Sequence, residues 1–400
     1  MPPDTTPSLT HTAPARPPMA PWRATAWLFL PLVVLAAILA VLIVGKPLER
    51  LTIGAPPVEK VSIERVRLSP GLITLDVRAD GSQPIIIAQV QVDAAWRTFE
   101  IAPTGPIGRL GTARISIPFP WLDGEGHKIR LLTSTGATFE RSIEVARATP
   151  VWDAQTLTLL ALVGVLLGIA PVATGLLAYP ALGSLSAKGM RFVLALTIGL
   201  LGYLFIDTLG EGLEQAGKVL DRLRGHAAVL VMMLVAFGGL LLLGRRGGHA
   251  PEGAALAGFI ALGIGLHNLG EGLAVGASIA AGEAALAAFL VIGFTIHNVS
   301  EGFGIAAPLV GRGPKLLTFV GLAALAGLPA VPGVWVGAQV VSPFWVAICM
   351  GIGAGAILQV IVEVSGLIVR REGVAALFSP ASLGGVGVGL AVMYLTALFV

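Results

Sequence analysis

The sequence predicts a polytopic α-helical membrane protein that carries a small β-rich domain near its N-terminus. Of its 400 residues, 55% are hydrophobic and only 12% are charged, whereas an average soluble domain has about 25% charged residues. From Ala154 onward, apolar stretches long enough to cross a bilayer alternate with short polar or Gly/Pro-containing breaks. The small net charge of +3, without a basic stripe, argues against a nucleic-acid partner. The single cysteine, Cys349, excludes a disulfide framework.

The N-terminal segment predicts a tail followed by a membrane anchor. Residues 1–22 are rich in Pro and Thr without apolar periodicity, which is typical of a disordered tail. Residues 24–45 are almost wholly apolar, so we expect a transmembrane anchor over 23–46. A cleaved signal peptide is the alternative. The long preceding tail and the lack of a clear small-x-small cleavage site favour the anchor.

Residues 47–150 predict a small β-sandwich. Apolar and polar side chains alternate there in short runs, and Gly, Pro and Asp separate the runs, as in antiparallel strands. The clearest runs are 61–68, 73–77, 85–91 and 113–117. The one histidine, His127, has no carboxylate at ligand spacing, so a structural or partner-binding module is favoured over a metal-capture domain.

Residues 151–400 predict a core of eight membrane helices. We place them near 154–180, 190–210, 226–244, 254–280, 284–310, 316–340, 344–369 and 381–400. Prolines interrupt several of them, notably Pro171, Pro308, Pro329 and Pro332. Such breaks free backbone carbonyls, which membranes tolerate only beside protein or water-filled cavities.

The basic residues of the loops predict the orientation of this core. One set of alternate loops carries eight of them and the opposite set carries three, so the first set is predicted to face the cytoplasm. The first set is Lys188, Arg191, Arg245, Arg246, Arg312, Lys315, Arg370 and Arg371, and the second is Lys218, Arg222 and Arg224. The tail at 1–22 is then cytoplasmic and the β domain is extracytoplasmic.

Two copies of one polar motif are the strongest functional signal. His267-Asn268-x-x-Glu271-Gly lies near the middle of the fourth predicted helix, and His297-Asn298-x-x-Glu301-Gly lies near the middle of the fifth. In each copy His and Glu stand four residues apart and share a helix face. A charge at the bilayer centre costs roughly 2.5–3.5 kcal/mol on insertion scales.

A bound cation or a hydrogen-bonded network would offset this cost. Two copies on adjacent antiparallel helices, at matching depth, favour the cation. Imidazole with carboxylate suits zinc and neighbouring first-row ions, whereas calcium and magnesium prefer all-oxygen sites. Zn2+ is therefore the leading expectation, as a transported substrate, and Fe2+, Mn2+, Co2+ and Cd2+ stay open.

Over residues 153–400, the paired motifs, eight helices and short loops resemble the ZIP family of metal transporters, in particular its bacterial branch. The resemblance implies eight helices in a three-two-three inverted-repeat arrangement, with a metal site between helices four and five. It also implies that His267, Glu271 and Glu301 form the principal site. Asn268 and Asn298 would serve an adjacent second metal, with His297 beside them.

One departure concerns the second metal. Family members often carry a Ser-Gly-x-x-Glu-Pro motif in helix six, and the nearest stretch here has Ala330 at the glutamate position. The resemblance therefore implies a weakened or missing second position and a mononuclear site. The loop between helices three and four also lacks the His-rich run of many relatives and offers only His249.

Further intramembrane acids predict a path for the ion. Asp207 and Glu211 lie toward the outer end of helix two, and Glu363 toward the inner end of helix seven. In addition, the stretch 199–207, which ends at Asp207, resembles 355–363, which ends at Glu363, on helices predicted to run in opposite directions. Inverted repeats of this kind recur in secondary transporters.

Taken together, these signals predict an importer of zinc or a similar ion into the cytoplasm, in the bacterial inner membrane, with the β domain in the periplasm. The alternative is a metal-sensing membrane receptor whose β domain binds a partner. An enzyme is not expected, because the order His-Asn-x-x-Glu leaves no general base beside the first histidine, unlike His-Glu-x-x-His proteases. The expected partners are the metal ion and the lipid bilayer, and the sequence leaves homodimer formation open.

Overall fold

The computed structural model describes residues 30–31, 33–41, 44, 58–245, 248, 250–280, 284–339 and 342–398. The chain divides into two units, Met1–Pro57 and Val58–Val400. In the first unit, residues 30–31, 33–41 and 44 are helical, within the anchor predicted over 23–46. The rest of that anchor and the predicted tail at 1–22 lie outside the described residues.

The β domain is built from two four-stranded antiparallel sheets. Its strands are β1 Glu59–Ser69, β2 Leu72–Gly81, β3 Ile87–Val92, β4 Ala95–Arg97, β5 Glu100–Ala102, β6 Thr112–Pro118, β7 His127–Thr133 and β8 Thr138–Ile143. The orders are β1-β2-β6-β5 and β4-β3-β7-β8. Alternate side chains of β2, such as Ile73, Leu75 and Val77, are fully buried in one apolar core that both sheets share. The predicted β-sandwich is thus present.

The four predicted runs correspond to β1, β2, β3 and β6, whereas the other four strands were not predicted. The run at 85–91 begins too early, because Ile85 forms only an isolated bridge with Ile107 and β3 starts at Ile87. Strands β4 and β5 have three residues each. They are too short to show an alternating pattern.

His127 is a buried structural residue of the β domain. Its Nδ1 lies 2.7 Å from Asp93 Oδ2, and its ring meets the Phe119 ring edge-on at 5.2 Å. Burial would raise the pKa of the Asp93 carboxyl, but the Lys128 amide and His127 outweigh it and hold that pKa below its ordinary value. These contacts fit the structural interpretation of the β domain better than metal capture.

Over the described residues from 154 onward, eight helices follow the β domain, apart from short 3-10 turns. They are α1 Ala154–Ser184, α2 Ala187–Gly217, α3 Gly225–Gly244, α4 Gly253–Ala280, α5 Ala284–Ala306, α6 Leu316–Gly337, α7 Pro343–Glu372 and α8 Pro380–Ala397. Within the described residues, seven helical stretches are long and apolar enough to cross a membrane, and the apolar part of α8, Pro380–Leu395, is shorter. The chain is therefore a multi-pass membrane protein.

Prolines shape three of these helices. A π-helical turn, Val165–Ile169, precedes Pro171 in α1, and α6 breaks between Gly327 and Ala330 at Pro329. Pro308 lies in a 3-10 turn that follows α5. Pro332, in contrast, interrupts nothing, because it lies in the first turn of the second half of α6, where a missing N–H is tolerated.

The helices pack in two groups around α4 and α7. Helix α2 packs on α7 and α8, and α7 packs on α3 and α4. Helix α4 packs on α5 and α6, and α1 packs on α5 and α6. Each group thus brings together helices that are distant in sequence.

The two sets of loops lie at opposite ends of the core, as the alternation of basic residues predicted. At one end, Arg191 at the start of α2 pairs with Glu372 at the end of α7, 3.1 Å apart. At the other end, the α2–α3 loop contacts the β domain through Arg222 and Asp80, 2.9 Å apart.

Helices α4 and α6 approach closely because glycines line their crossing. A Cβ atom on Gly276 would lie 2.2 Å from the Val334 carbonyl oxygen, closer than any real contact. On the same helix, a Cβ on Gly258 would meet nothing within 4 Å. Substitutions at the two positions therefore distinguish the effect of helix–helix packing from that of intrinsic helix propensity.

We expect Gly276→Ala to lower the melting temperature of the detergent-solubilised protein, because overpacking typically costs about 1–3 kcal/mol. Gly258→Ala is expected to keep or raise it, since alanine favours a helix over glycine by about 1 kcal/mol. Thermal unfolding followed by circular dichroism measures both. Equal melting temperatures for the two variants would contradict the close crossing.

Candidate metal centre

Helices α4 and α5 bring the two polar motifs face to face inside the core. All six motif side chains are buried, with Asn268 and Asn298 completely enclosed. Because α4 and α5 pack directly on each other, the i and i+4 positions of each motif point toward a shared volume. The predicted juxtaposition of the two motifs is therefore present in the structure.

Glu271 is the hydrogen-bonding centre of this cluster. One of its oxygens, Oε1, lies 3.0 Å from His267 Nε2 and 2.6 Å from His297 Nε2. Its other oxygen, Oε2, accepts a hydrogen bond of 3.0 Å from the Asn298 amide. One carboxylate thus joins the two histidines across the α4–α5 contact.

The two asparagines fix the motifs to the neighbouring helices. Asn298 Nδ2 donates to the Leu167 carbonyl in α1 at 3.0 Å, and Asn268 Nδ2 donates to the Ala326 carbonyl in α6 at 3.0 Å. Pro171 lacks the N–H that would bond Leu167 in a regular α-helix, so that carbonyl is available to Asn298. Their side-chain oxygens, both buried, have no partner among the described residues.

Glu301 is the member of the cluster whose carboxylate lacks compensation by a described side chain. Its side chain is 2% exposed, and neither carboxylate oxygen has a hydrogen-bond partner within the described part of the chain. Leaving a buried carboxylate uncompensated costs several kcal/mol. A cation held beside it would remove that cost.

The geometry of the cluster fits a transition-metal ion. One potential ligand atom from each of His267, His297 and Glu301 lies within 4.8 Å of the other two. Zinc binds imidazole nitrogen and carboxylate oxygen at about 2.0–2.2 Å, so small side-chain rotations would bring these three atoms around one ion. This group shares His267 and Glu301 with the expected principal site and adds His297, whereas Glu271 lies within hydrogen-bond distance of both histidines.

A cavity of about 400 Å3 leads to this cluster from the end of the core that bears the β domain. Asp207 and Glu211, which were predicted to line an entrance, border it together with His267 and Glu271. Helix α2 extends to Gly217, beyond the predicted end at 210, so Glu211 lies within its last two turns, toward the end that bears the β domain.

Sequence reasoning missed other residues of this cavity. Glu214 and Lys218 also line it, and they continue the helix face of Asp207 and Glu211 at intervals of three and four residues. That spacing could have been recognised from the sequence. Glu64 and Arg141 come from the β domain, and no local pattern connects them with the helices.

Glu363 lies apart from the cavity. Its carboxylate is 1% exposed and lies 3.4 Å from an Arg245 Nη2 and 3.9 Å from an Arg370 Nη2. Arg245 follows the end of α3 and Arg370 lies in the last turn of α7, both at the end opposite the β domain. The structure therefore brings Asp207 and Glu211 to the cluster and keeps Glu363 in a separate ionic group.

The sequence matches no protein-family model and shows no significant similarity to a curated protein.

We expect Zn2+ to raise the melting temperature of the detergent-solubilised protein and Glu301→Gln to abolish this rise. A ligand at one hundred times its Kd stabilises the folded state by about 2.7 kcal/mol, and the substitution removes a ligand charge while keeping the side-chain shape. Glu252→Gln is the matched control, because Glu252 is an exposed carboxylate at the start of α4. An undiminished zinc response in Glu301→Gln would rule out this centre as the binding site.

Proposed function

We propose that the protein carries a divalent transition metal, with Zn2+ as the first candidate substrate, across the membrane into the cytoplasm through the site between α4 and α5. The observation that carries the proposal is the convergence of His267, His297 and Glu301 at a buried point reached by a cavity. The site has no thiolate, so a bound ion would be held less tightly than in a structural Cys site. Weaker binding suits an ion that must also leave.

The direction of transport is inferred from the two ends of the core. The cavity opens toward the β domain, whereas the opposite end carries most of the basic loop residues and the Arg245–Glu363–Arg370 group. Because basic loops face the cytoplasm, the cavity would open outside. In a bacterial inner membrane the β domain would then lie in the periplasm.

An inverted repeat of the core, as in the ZIP family that the motifs resemble, is supported by the packing. If α1–α3 are exchanged with α6–α8 and α4 with α5, the packing of α2 on α8 corresponds to that of α7 on α3. The packing of α4 on α6 likewise corresponds to that of α5 on α1. The Asn268–Ala326 and Asn298–Leu167 hydrogen bonds are related by the same exchange.

A mononuclear site is part of the proposal. Ala330 is completely buried at the start of the second half of α6 and belongs to a small apolar cluster with Leu160 and Leu167. It offers no ligand atom for a second metal. The principal site would then select the ion without a second metal ion bound beside it.

We expect purified wild-type protein in liposomes to carry Zn2+, and His267→Ala and Glu301→Ala to reduce the rate at least roughly tenfold, the scale on which lost metal-site groups weaken metal affinity or activity. His226→Ala is the matched control, because His226 is an exposed histidine at the start of α3. A zinc-sensitive dye inside the liposomes measures the rate, and parallel assays with Mn2+, Fe2+, Co2+ and Cd2+ test the metal preference. Zinc transport that survives both site substitutions would refute the site, and its absence from wild type would refute the function.

A further inference from the structure

The cavity that reaches the metal centre has one wall made by the β domain. Glu64 of β1 and Arg141 of β8 line it together with Asp207, Glu211 and His267 of the helical core. An ion that approaches the centre through this cavity therefore passes side chains of the β domain as well as of the helices.

Direct contacts hold the β domain in this position. Arg222 in the α2–α3 loop pairs with Asp80 at 2.9 Å, and Lys60 of β1 pairs with Asp221. In addition, Arg65 of β1 donates a hydrogen bond of 3.3 Å to Gln339, which follows α6. These contacts hold β1 and β2 against the helices. The β-domain wall of the cavity is therefore part of the folded structure.

The two β-domain side chains at the wall differ in their surroundings. Arg78 binds Glu64 through two hydrogen bonds, the shorter of 2.6 Å, and neutralises it. Arg141 forms no side-chain hydrogen bond or ion pair with any described residue. It also borders two further cavities, of about 100 and 370 Å3, between the β domain and the helices. Arg141 thus borders all three spaces.

The charges along the cavity have opposite effects on a cation. Asp207, Glu211 and Glu214 on α2 attract it, although Lys218 pairs with Glu214 at 3.0 Å. We infer that the β domain forms the outer wall of the cation entrance and that Arg141 opposes the access of cations, which sets the apparent affinity for the metal. The effect on affinity rests on the proposed function, whereas the effect on access does not.

The accessibility of an introduced thiol tests whether Arg141 opposes cation access, and this test does not depend on transport. Ala274, one turn from Glu271 on α4, lines the cavity, and Ala274→Cys in a Cys349→Ala background supplies a single thiol. Its modification rates with cationic and anionic methanethiosulfonate reagents are compared in full-length protein. Arg141→Gln is expected to raise the cationic-to-anionic rate ratio roughly twofold to tenfold at low salt, and less at high salt, because ions screen the charge.

Arg114→Gln is the matched control. Arg114 is an exposed β6 arginine whose partner Asp76 keeps Arg67 as a second partner, so the substitution removes the same charge from a residue that does not line the cavity. It should leave the rate ratio unchanged. An equal ratio for Arg141→Gln and Arg114→Gln would overturn the inference.

Zinc transport provides the second measurement. Arg141→Gln is expected to lower the KM for Zn2+ roughly twofold to fivefold at low ionic strength without a change in kcat, since it alters the approach of the ion and not the site. If Arg141→Gln alters the modification-rate ratio but the wild type transports no zinc, the inference about cation access is supported and the proposed function is refuted. Wild-type transport with an unchanged KM and rate ratio would refute only the inference.

Discussion

Charged and polar groups that lie inside an apolar helical core must be compensated by one another or by a cation. In this protein the requirement falls on two carboxylates. Glu271 is satisfied by two histidines and an amide, whereas Glu301, one motif away, has no protein partner among the described residues. Glu301 is therefore the one carboxylate of this cluster that no described side chain compensates. The uncompensated carboxylate is the physical basis for the proposed exchangeable cation site.

Convergence of the motifs depends on close backbone contact between α1, α4, α5 and α6. A side chain at Gly272 would meet the Ala330 carbonyl at 2.3 Å, and one at Gly302 would meet the Val172 carbonyl at 2.6 Å. Without Cβ atoms at these points, the helices come near enough for Asn268 and Asn298 to reach carbonyls across the interface. Packing and polar compensation therefore depend on the same contacts.

Local patterns were sufficient for part of this structure. The alternation in β2 and the four-residue spacing of His267 and Glu271 each reflect one element, so both could be predicted from sequence. Strand β7 also alternates, with His127, Ile129 and Leu131 buried, and could have been recognised. The place of Arg141 beside the helical cavity depends on the docking of a whole domain. No sequence pattern within β8 predicts that contact. The bridging position of Glu271 likewise depends on the relative rotation of α4 and α5, which the sequence pattern of neither helix predicts.

In the proposed transporter, the buried Glu363 between Arg245 and Arg370 would have an energetic consequence for alternating access. A state open at this end would have to separate the carboxylate from both guanidinium groups or hydrate all three together. Leaving the carboxylate buried without a partner typically costs about 3–5 kcal/mol, so a state that does so without hydration would be populated at roughly one part in a hundred or less. The resting ensemble would then consist almost entirely of molecules closed at this end. Arrival of cargo would have to supply the free energy that shifts this population.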